Sequence, residues 1–490
     1  MNELWGGGAG QWWPAPGQTG GRPRALALID GEHYPAVVAH ALRELGARYE
    51  FLAAVFLGGT EKVGGDPVAA GAEVYGLAVT GGPDPVTALQ AAIDRYRPQV
   101  VVDVSDDPVV GYPVRFRLIS HTLARNVTYE GSDFRFTPPR LDRLSTIPSV
   151  SVIGTAKRVG KTAISGYVAR TLDASLGETS GLTARGGSAG GGVVVVAMGR
   201  GGPPEPEVID GRGVPLGSAD LLAWSRKGRH AASDHFEDAV LSRVTTIGCR
   251  RCGGGLAGEP FVSNVAEGAL LANTLGAGLV VFEGSGAAIP PVATDARLLV
   301  AGANQPLDHI VGYLGTYRVL VSDVVVVTMA EPPMAEEAAV RALMAEIGEI
   351  KPEVPVIPMV FRPRPVSSVH GQRVACFSTA PAAQAPVLRR HLEEHHGCRV
   401  VAWSSNLSDR RALELDMRSP DVWAAEMYLT EIKAAAIDVV AEEANRRGVP
   451  VVFLDNEPCE AAPASEGALA DTCRWLADLA KERFALYARA

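Results

Sequence analysis

The residues best placed to do chemistry lie in SVIGTAKRVGKTAISGYVA, which begins at Ser151 and sets Lys161 and Thr162 behind a loop bounded by Gly154 and Gly160. Such a loop turns its backbone N–H groups toward a polyphosphate, and the positive end of the helix that follows adds to their pull. A lysine at this position contributes its charge, and a threonine hydroxyl is a ligand for magnesium. Gly154, Thr155, Gly160, Lys161 and Thr162 are therefore the candidate nucleotide-binding residues. The spelling departs from the simple G-x-x-x-x-G-K-[ST] pattern: Gly154 comes one residue early and Thr155 stands in the expected place.

Four other segments carry candidate chemistry. In LVVFEGSGAAIPPV, Glu283 follows a buried run directly, with Gly284 and Ser285 behind it. An acid at that point can hold magnesium or its water shell beside a nucleotide, and a solvated turn carboxylate is the competing reading. In VVVVAMGRGGPPEPEVI, Arg200 sits between glycines, where a guanidinium can bind an anion bidentately or simply occupy a flexible turn. LALIDGEHYP gathers Asp30, Glu32 and His33 in one loop, as ligand groups or as an Asp-Gly turn with a helix cap. TIGCRRCGGGLAGEP places Arg250 and Arg251 between Cys249 and Cys252 and ahead of three glycines. The pair of cysteines is half a zinc site at most, and the arginines with flexible backbone suit an anion cradle better.

These residues need an α/β scaffold to bring them together. Apolar runs at 25–29, 51–57 and 100–104 alternate with helical patterns, among them a helix from Pro35 striped by Val38, Ala41, Leu42 and Leu45, which predicts a parallel sheet with helices on its faces. The stretch TPPRLDRLSTIP, 137–148, reads as a linker. Strands at 150–153, 193–197, 279–282 and 324–329 predict a second parallel α/β unit. The stripe Ile164, Tyr167, Val168 and Leu172 marks the helix behind the glycine loop, and a further helix covers 334–347. Runs at 354–360 and 449–454 extend that sheet, and a helix over 467–488 closes it. The domain boundaries read as a flexible tail over 1–22, a Rossmann-like α/β domain over 23–148, and a phosphate-loop α/β domain with a C-terminal extension over 149–490. In a doubly wound sheet ligands collect at the carboxyl ends of the strands, where three of the four further segments begin.

A chain of 490 residues is long enough for two or three domains at roughly 100–200 residues each. A net charge of −9 argues against a general binder of nucleic acid or anionic membrane, and no apolar run approaches the about 20 residues that span a bilayer. Six scattered cysteines do not form a disulfide framework and point to a reducing, cytoplasmic setting. The loops together describe an enzyme that brings a nucleoside triphosphate, magnesium and a strongly anionic small molecule to one sheet edge. Subunit number stays open, with a homodimer among the assemblies considered.

The phosphate loop GTAKRVGKT and the segment EGSGAA resemble those of dethiobiotin synthetase-like ATPases. With IDGEHYP and CRRCGGGLAG, in that order in a chain of this length, they are similar to the cyclic 2,3-diphosphoglycerate synthetases from Arg24 to the C-terminus. The resemblance implies a Rossmann-like domain followed by a P-loop domain of the dethiobiotin synthetase-like kind. It also implies closure of 2,3-diphosphoglycerate to its cyclic pyrophosphate, driven by ATP and assisted by Mg2+, with release of ADP and phosphate. On that reading Thr162 and Glu283 serve magnesium. Lys161, Lys157 and Arg158 assist phosphoryl transfer together with Glu283. Asp30, Glu32, His33, Arg200, Arg250, Arg251, Gly284 and Ser285 are candidates for the anionic substrate. The readings kept beside it are a carboxylate ligase of the dethiobiotin synthetase kind and a regulatory NTPase of the MinD kind. The signature lysine of the latter would fall at Ala156, with Lys157 one residue later.

Overall fold

Runs such as VVVV at 193–196 and 324–327 are apolar on both faces of a strand, so they require cover on both sides of a sheet. In the computed structural model, which describes residues 21–179, 191–213, 217–227 and 234–489, every residue of Val193–Gly199 and of Val324–Thr328 is buried. The tail expected over 1–22 lies almost wholly outside the described residues. The chain divides into two units, Met1–Pro138 with Gly312–Tyr317, and Pro139–Val311 with Arg318–Ala490.

In the first unit six strands follow the order Val79–Thr80, Glu50–Phe56, Arg24–Ile29, Val100–Asp103, Thr128–Glu130 and Arg135–Phe136. All neighbours are parallel except the last pair, which is the Rossmann arrangement expected from the alternating pattern. The helix Pro35–Leu45 starts on a proline at its first position and buries Val38, Ala39 and Leu42. Ala39 is fully buried where the helical stripe suggested Ala41. The distant segment Gly312–Tyr317 joins this unit through Ser120 Oγ, which donates to the Tyr313 carbonyl at 3.0 Å, and through an edge-on contact of Phe116 with Tyr313 at 5.3 Å.

The second unit holds one long sheet. The strand Ser149–Gly154 lies between two parallel neighbours, Leu279–Glu283 and Ala296–Gly302. Val193–Gly199 and Thr245–Cys252 extend the sheet on one side, Val324–Thr328 and Val356–Pro365 on the other. The ten-residue strand Val356–Pro365 then pairs antiparallel with Val451–Glu460, from Met359 opposite Glu460 to Pro365 opposite Leu454. Beyond it come Met427–Thr430, Arg373–Phe377 and Arg399–Ser404. The helix Lys161–Thr179 buries Ile164, Val168 and Leu172, with Tyr167 half-buried beside them. It packs against the closing helix Ala468–Tyr487, whose Leu469, Cys473, Leu476, Ala477 and Ala480 meet it in the same core. At about 25 cal/mol per Å2 of apolar surface, each large side chain in this seam contributes roughly 1.5–3 kcal/mol.

Two readings of the sequence are corrected. The CRRC segment is the end of the strand Thr245–Cys252 and not a loop, because its paired neighbour Val193–Gly199 supplies a ladder that the charged residues conceal in sequence. The stretch read as a linker starts at the division between the two units and belongs to the second from Pro139 onward: Arg143 Nη2 donates to Asp295 Oδ1 at 2.7 Å and Asn273 Oδ1 accepts from the Thr146 backbone at 3.0 Å. The helix expected over 334–347 runs Glu337–Ile350, beginning past Pro332 and Pro333.

Candidate active site

The phosphate loop leaves the strand Ser149–Gly154 and enters the helix at Lys161. Gly160 has φ +78°, and a Cβ there would sit 2.3 Å from the Phe361 ring, so only glycine lets the loop pass under that side chain. Thr155 is an anchor: its backbone N–H donates to Val300 at 3.0 Å and its hydroxyl bonds the Gln305 side chain. Lys157 and Arg158 are exposed at the loop tip, with Arg158 at φ +67°.

Lys161 is buried, and its Nζ donates to Glu283 Oε1 at 2.6 Å; the Thr162 hydroxyl donates to the same oxygen at 2.7 Å. Glu283 reaches them because Leu279–Glu283 runs beside the loop strand and ends level with it. Burial pushes the Glu283 carboxyl up, but the Lys161 charge, the Asp238 carboxyl beside it and the hydrogen bonds from Lys161 and Thr162 outweigh it and hold its pKa below the usual value. Gly284 N–H donates to the Val152 carbonyl at 2.9 Å, so that residue shapes the turn. Ser285 is buried and offers its carbonyl to an arginine.

Arg250 and Arg251 part company. Arg250 Nε donates to the carbonyls of Gly202 and Pro203 at 3.2 and 2.8 Å, which fixes the turn after Arg200. Arg251 donates from Nη1 to Gly253 O and from Nη2 to Ser285 O, each at 2.7 Å. A Cβ on Gly286 would stand 2.9 Å from Arg200 Nη2 and 3.5 Å from Arg251 Nη2, so the two guanidiniums converge on that glycine. Burial and then the neighbouring Arg200 charge lower the Arg251 pKa, against the weaker pull of Cys252 and Asp234. Cys249 is buried against Gly268 and Cys252 is exposed, which puts the two thiols on opposite faces of the strand.

Acids that the sequence reading missed complete the site. The helix Asp234–Ser242 brings Asp234, Glu237 and Asp238 to the buried side of the phosphate loop. Asp238 lies against Glu283; burial, then the Glu283 charge, holds its pKa well above the usual carboxylate value. Burial likewise pushes the Glu237 carboxyl upward, against the pull of Lys433. Spacing of 0, 3 and 4 residues is the available signal, but in sequence it reads as a solvated helix face. Glu283 Oε2 and both Asp238 carboxylate oxygens are buried without an ordinary donor. No group of three or more His, Cys, Asp or Glu side chains among the described residues is arranged to hold a metal by itself. The oxygen donors therefore fit a hard cation that completes its shell with phosphate oxygens and water.

A cavity of about 690 Å3 in the second unit is lined among others by Lys157, Lys161, Thr162, Arg200, Asp234 and Gly286, with Arg251 behind Gly286 and Glu283 behind Lys161. Asp30, Glu32 and His33 belong to the first unit, where Asp30 is an organiser of backbone. Its buried carboxylate accepts from the N–H groups of Glu32, His33 and Asp106 at 2.9, 3.3 and 2.5 Å, and lies 3.1 Å from His33 Nδ1.

Strand, glycine loop and helix, with a strand-end acid on the loop lysine, define a P-loop nucleotide-binding α/β protein. The family models for cyclic 2,3-diphosphoglycerate synthetase match residues 24–137 as N-terminal domain, 149–360 as P-loop domain and 365–457 as C-terminal domain. The chain is 53% identical over 451 residues to the cyclic 2,3-diphosphoglycerate synthetase of Rubrobacter xylanophilus, covering 91% of this chain and 96% of that one. It is 41% identical over 441 residues to the protein of the same name from Methanothermus fervidus, covering 89% and 93%. The chain belongs to the cyclic 2,3-diphosphoglycerate synthetase family. It is an enzyme of the synthetase class that uses a nucleotide and acts on a small molecule, and no described helix is long and apolar enough to cross a membrane.

Proposed function

We propose that this protein closes 2,3-diphosphoglycerate into its cyclic pyrophosphate at the expense of ATP, with Mg2+ as the metal. The observation that carries the reading is the convergence of Arg200 and Arg251 on Gly286, beside a phosphate loop whose own lysine is already matched to Glu283. One nucleotide does not need two further guanidiniums on the far side of the strand-end turn; a second, highly charged substrate does. Similarity over nearly the whole length of relatives carrying this name supports it, and leaves neither the carboxylate-ligase nor the regulatory-NTPase reading favoured.

The chemistry follows from charge placement. Backbone N–H groups of the loop and Lys161 orient the triphosphate. Thr162 and Glu283 would hold magnesium, which neutralises charge on the outer phosphates when bound. A phosphate oxygen of the substrate attacks the γ-phosphorus; the bond to the β-γ bridging oxygen breaks and ADP leaves, giving a mixed phosphoanhydride. An oxygen of the neighbouring substrate phosphate then attacks the inner phosphorus of that anhydride, inorganic phosphate leaves, and the ring closes. Both attacking oxygens are ionised at neutral pH, so no general base is required. Each step forces anions together, and Lys157, Arg158, Arg200 and Arg251 counter the repulsion, while Arg250 holds the turn that carries Arg200. Six free thiols suit a reducing cytoplasm.

Phosphorus NMR of the protein with ATP, Mg2+ and 2,3-diphosphoglycerate tests this. Two monoester resonances should decay while a coupled pair of pyrophosphate resonances and inorganic phosphate grow together. ATP consumed with the monoesters untouched would refute the reading.

A further inference from the structure

The cavity beside the phosphate loop has a second wall that neither the glycine loop nor the arginine turn supplies. Thr379, Gln384, Ser408 and Lys433 line it from the segment between Val356–Pro365 and Val451–Glu460, and Asn456 lines it from the antiparallel junction of those two strands. The charged side chains on this wall are Lys433, the cation, and Glu431, whose two carboxylate oxygens accept from the Ser378 and Thr379 hydroxyls.

Its placement is built with care. Lys433 follows the strand Met427–Thr430, whose end is fixed by Glu431: Ser378 and Thr379 hydroxyls donate to the two Glu431 carboxylate oxygens at 2.5 and 2.7 Å. Lys433 Nζ lies 3.0 Å from Glu237 Oε1, with the lysine side chain 30% accessible and the glutamate 5%. One of three ammonium donors is thereby directed at Glu237, and the open part of the side chain borders the cavity. Ala434, also in the lining, has φ +48°, and a π-helical turn Ala436–Ala441 follows. Non-glycine residues with positive φ and π-turns recur where a side chain must be aimed for function. Burial works against the Lys433 charge, but Glu237 and Glu431 outweigh it and keep the ammonium protonated. Lys161, Asp234 and Lys433 all line the one cavity, so the two walls face a shared space.

We infer that Lys433 binds a phosphate group of the second substrate from the C-terminal side, opposite Arg200 and Arg251, with the Asn456 amide as a neutral donor beside it. The inference rests on the proposed reaction. A substrate with two phosphates that must be pressed together needs cations on both sides, and the P-loop portion supplies one side only. Glu237 is then a buried counter-ion that positions the ammonium.

The test is calorimetric titration of 2,3-diphosphoglycerate and, separately, of ATP with Mg2+ into the full chain and into Lys433→Met, Glu237→Gln and the double variant. Lys433→Met should weaken 2,3-diphosphoglycerate binding by about tenfold or more, the worth of a charged hydrogen bond, and shift ATP binding little. Glu237→Gln should bind the diphosphate at least as tightly as the natural chain, since it removes a competing anion. The double variant leaves no unpaired buried charge, so it reports on binding even if Lys433→Met fails to fold, and it should stay weak. Recovery of affinity in the double variant would overturn the inference, because Lys433 would then serve only Glu237. Loss of ATP affinity with the diphosphate unaffected would also overturn it and give this wall to the nucleotide. If the natural chain forms no cyclic product by phosphorus NMR, the proposed reaction itself fails; turnover by the natural chain with normal binding by both Lys433 variants refutes the Lys433 assignment alone.

Discussion

Arg250 and Arg251 are adjacent in the chain yet serve opposite sides of one strand: Arg250 Nε holds the Pro203 carbonyl at 2.8 Å, and Arg251 Nη2 holds the Ser285 carbonyl at 2.7 Å. Alternation along a strand makes this division unavoidable once the register is set. Arg251→Ala should therefore weaken 2,3-diphosphoglycerate binding by about tenfold or more, and Arg251→Lys should recover little of it, because the planar fork is lost. Arg250→Ala should act more weakly and through the 200–204 turn. Calorimetry on both variants checks this, and equal losses from the two would contradict it.

Gly286 has φ +59°, and its missing Cβ leaves room for two guanidiniums. Gly286→Ala should displace Arg200 and strain the turn, raising the KM for the diphosphate several-fold with a smaller effect on ATP. A steady-state comparison of the two KM values decides; an effect confined to ATP would place the arginines with the nucleotide.

Lys161 is matched to Glu283 at 2.6 Å and has no other ion-pair partner among the described residues. Lys161→Ala should cost at least about two orders of magnitude in turnover, as removal of a strong electrostatic group does. A folded variant that turns over normally would show that the loop lysine is idle.

Cys249 is buried, and burial pushes its thiol up to about 12, whereas Cys252 is exposed. Brief alkylation of the folded protein near neutral pH, followed by peptide mapping, should modify Cys252 and spare Cys249. Equal labelling would mean that the strand end opens readily.

His121 is buried in the helix Tyr112–Ala124, with Nδ1 2.6 Å from Gln90 Nε2; burial first, then Arg125 and Arg117, lowers its pKa from 6.5 to about 4. The unfolded chain thus takes up this proton before the folded one does. The contribution to stability is complete above pH 6.5 and is lost as pH falls toward 4. Thermal melts of His121→Gln across that interval should show a shallower decline than those of the natural chain, and parallel declines would exclude His121 as a source of acid sensitivity.

The sequence by itself determined what is local or periodic. Gly154 to Thr162 with the stripe Ile164, Val168 and Leu172 specifies strand, phosphate loop and helix, because each is encoded within a few residues. The valine runs specify buried strands for the same reason, and Glu283 was legible because it ends one of them. Tertiary structure decided what depends on register and on distant burial. The strand Thr245–Cys252 was hidden because charge and glycine mask its alternation, and its pairing with Val193–Gly199 is what separates Arg250 from Arg251. Glu237 and Asp238 read as a solvated face until the fold buries them, with Asp234 half-buried at the cavity. Lys433 enters the cavity lining only because Val451–Glu460 pairs antiparallel with Val356–Pro365, a contact between residues about ninety apart that no local pattern encodes.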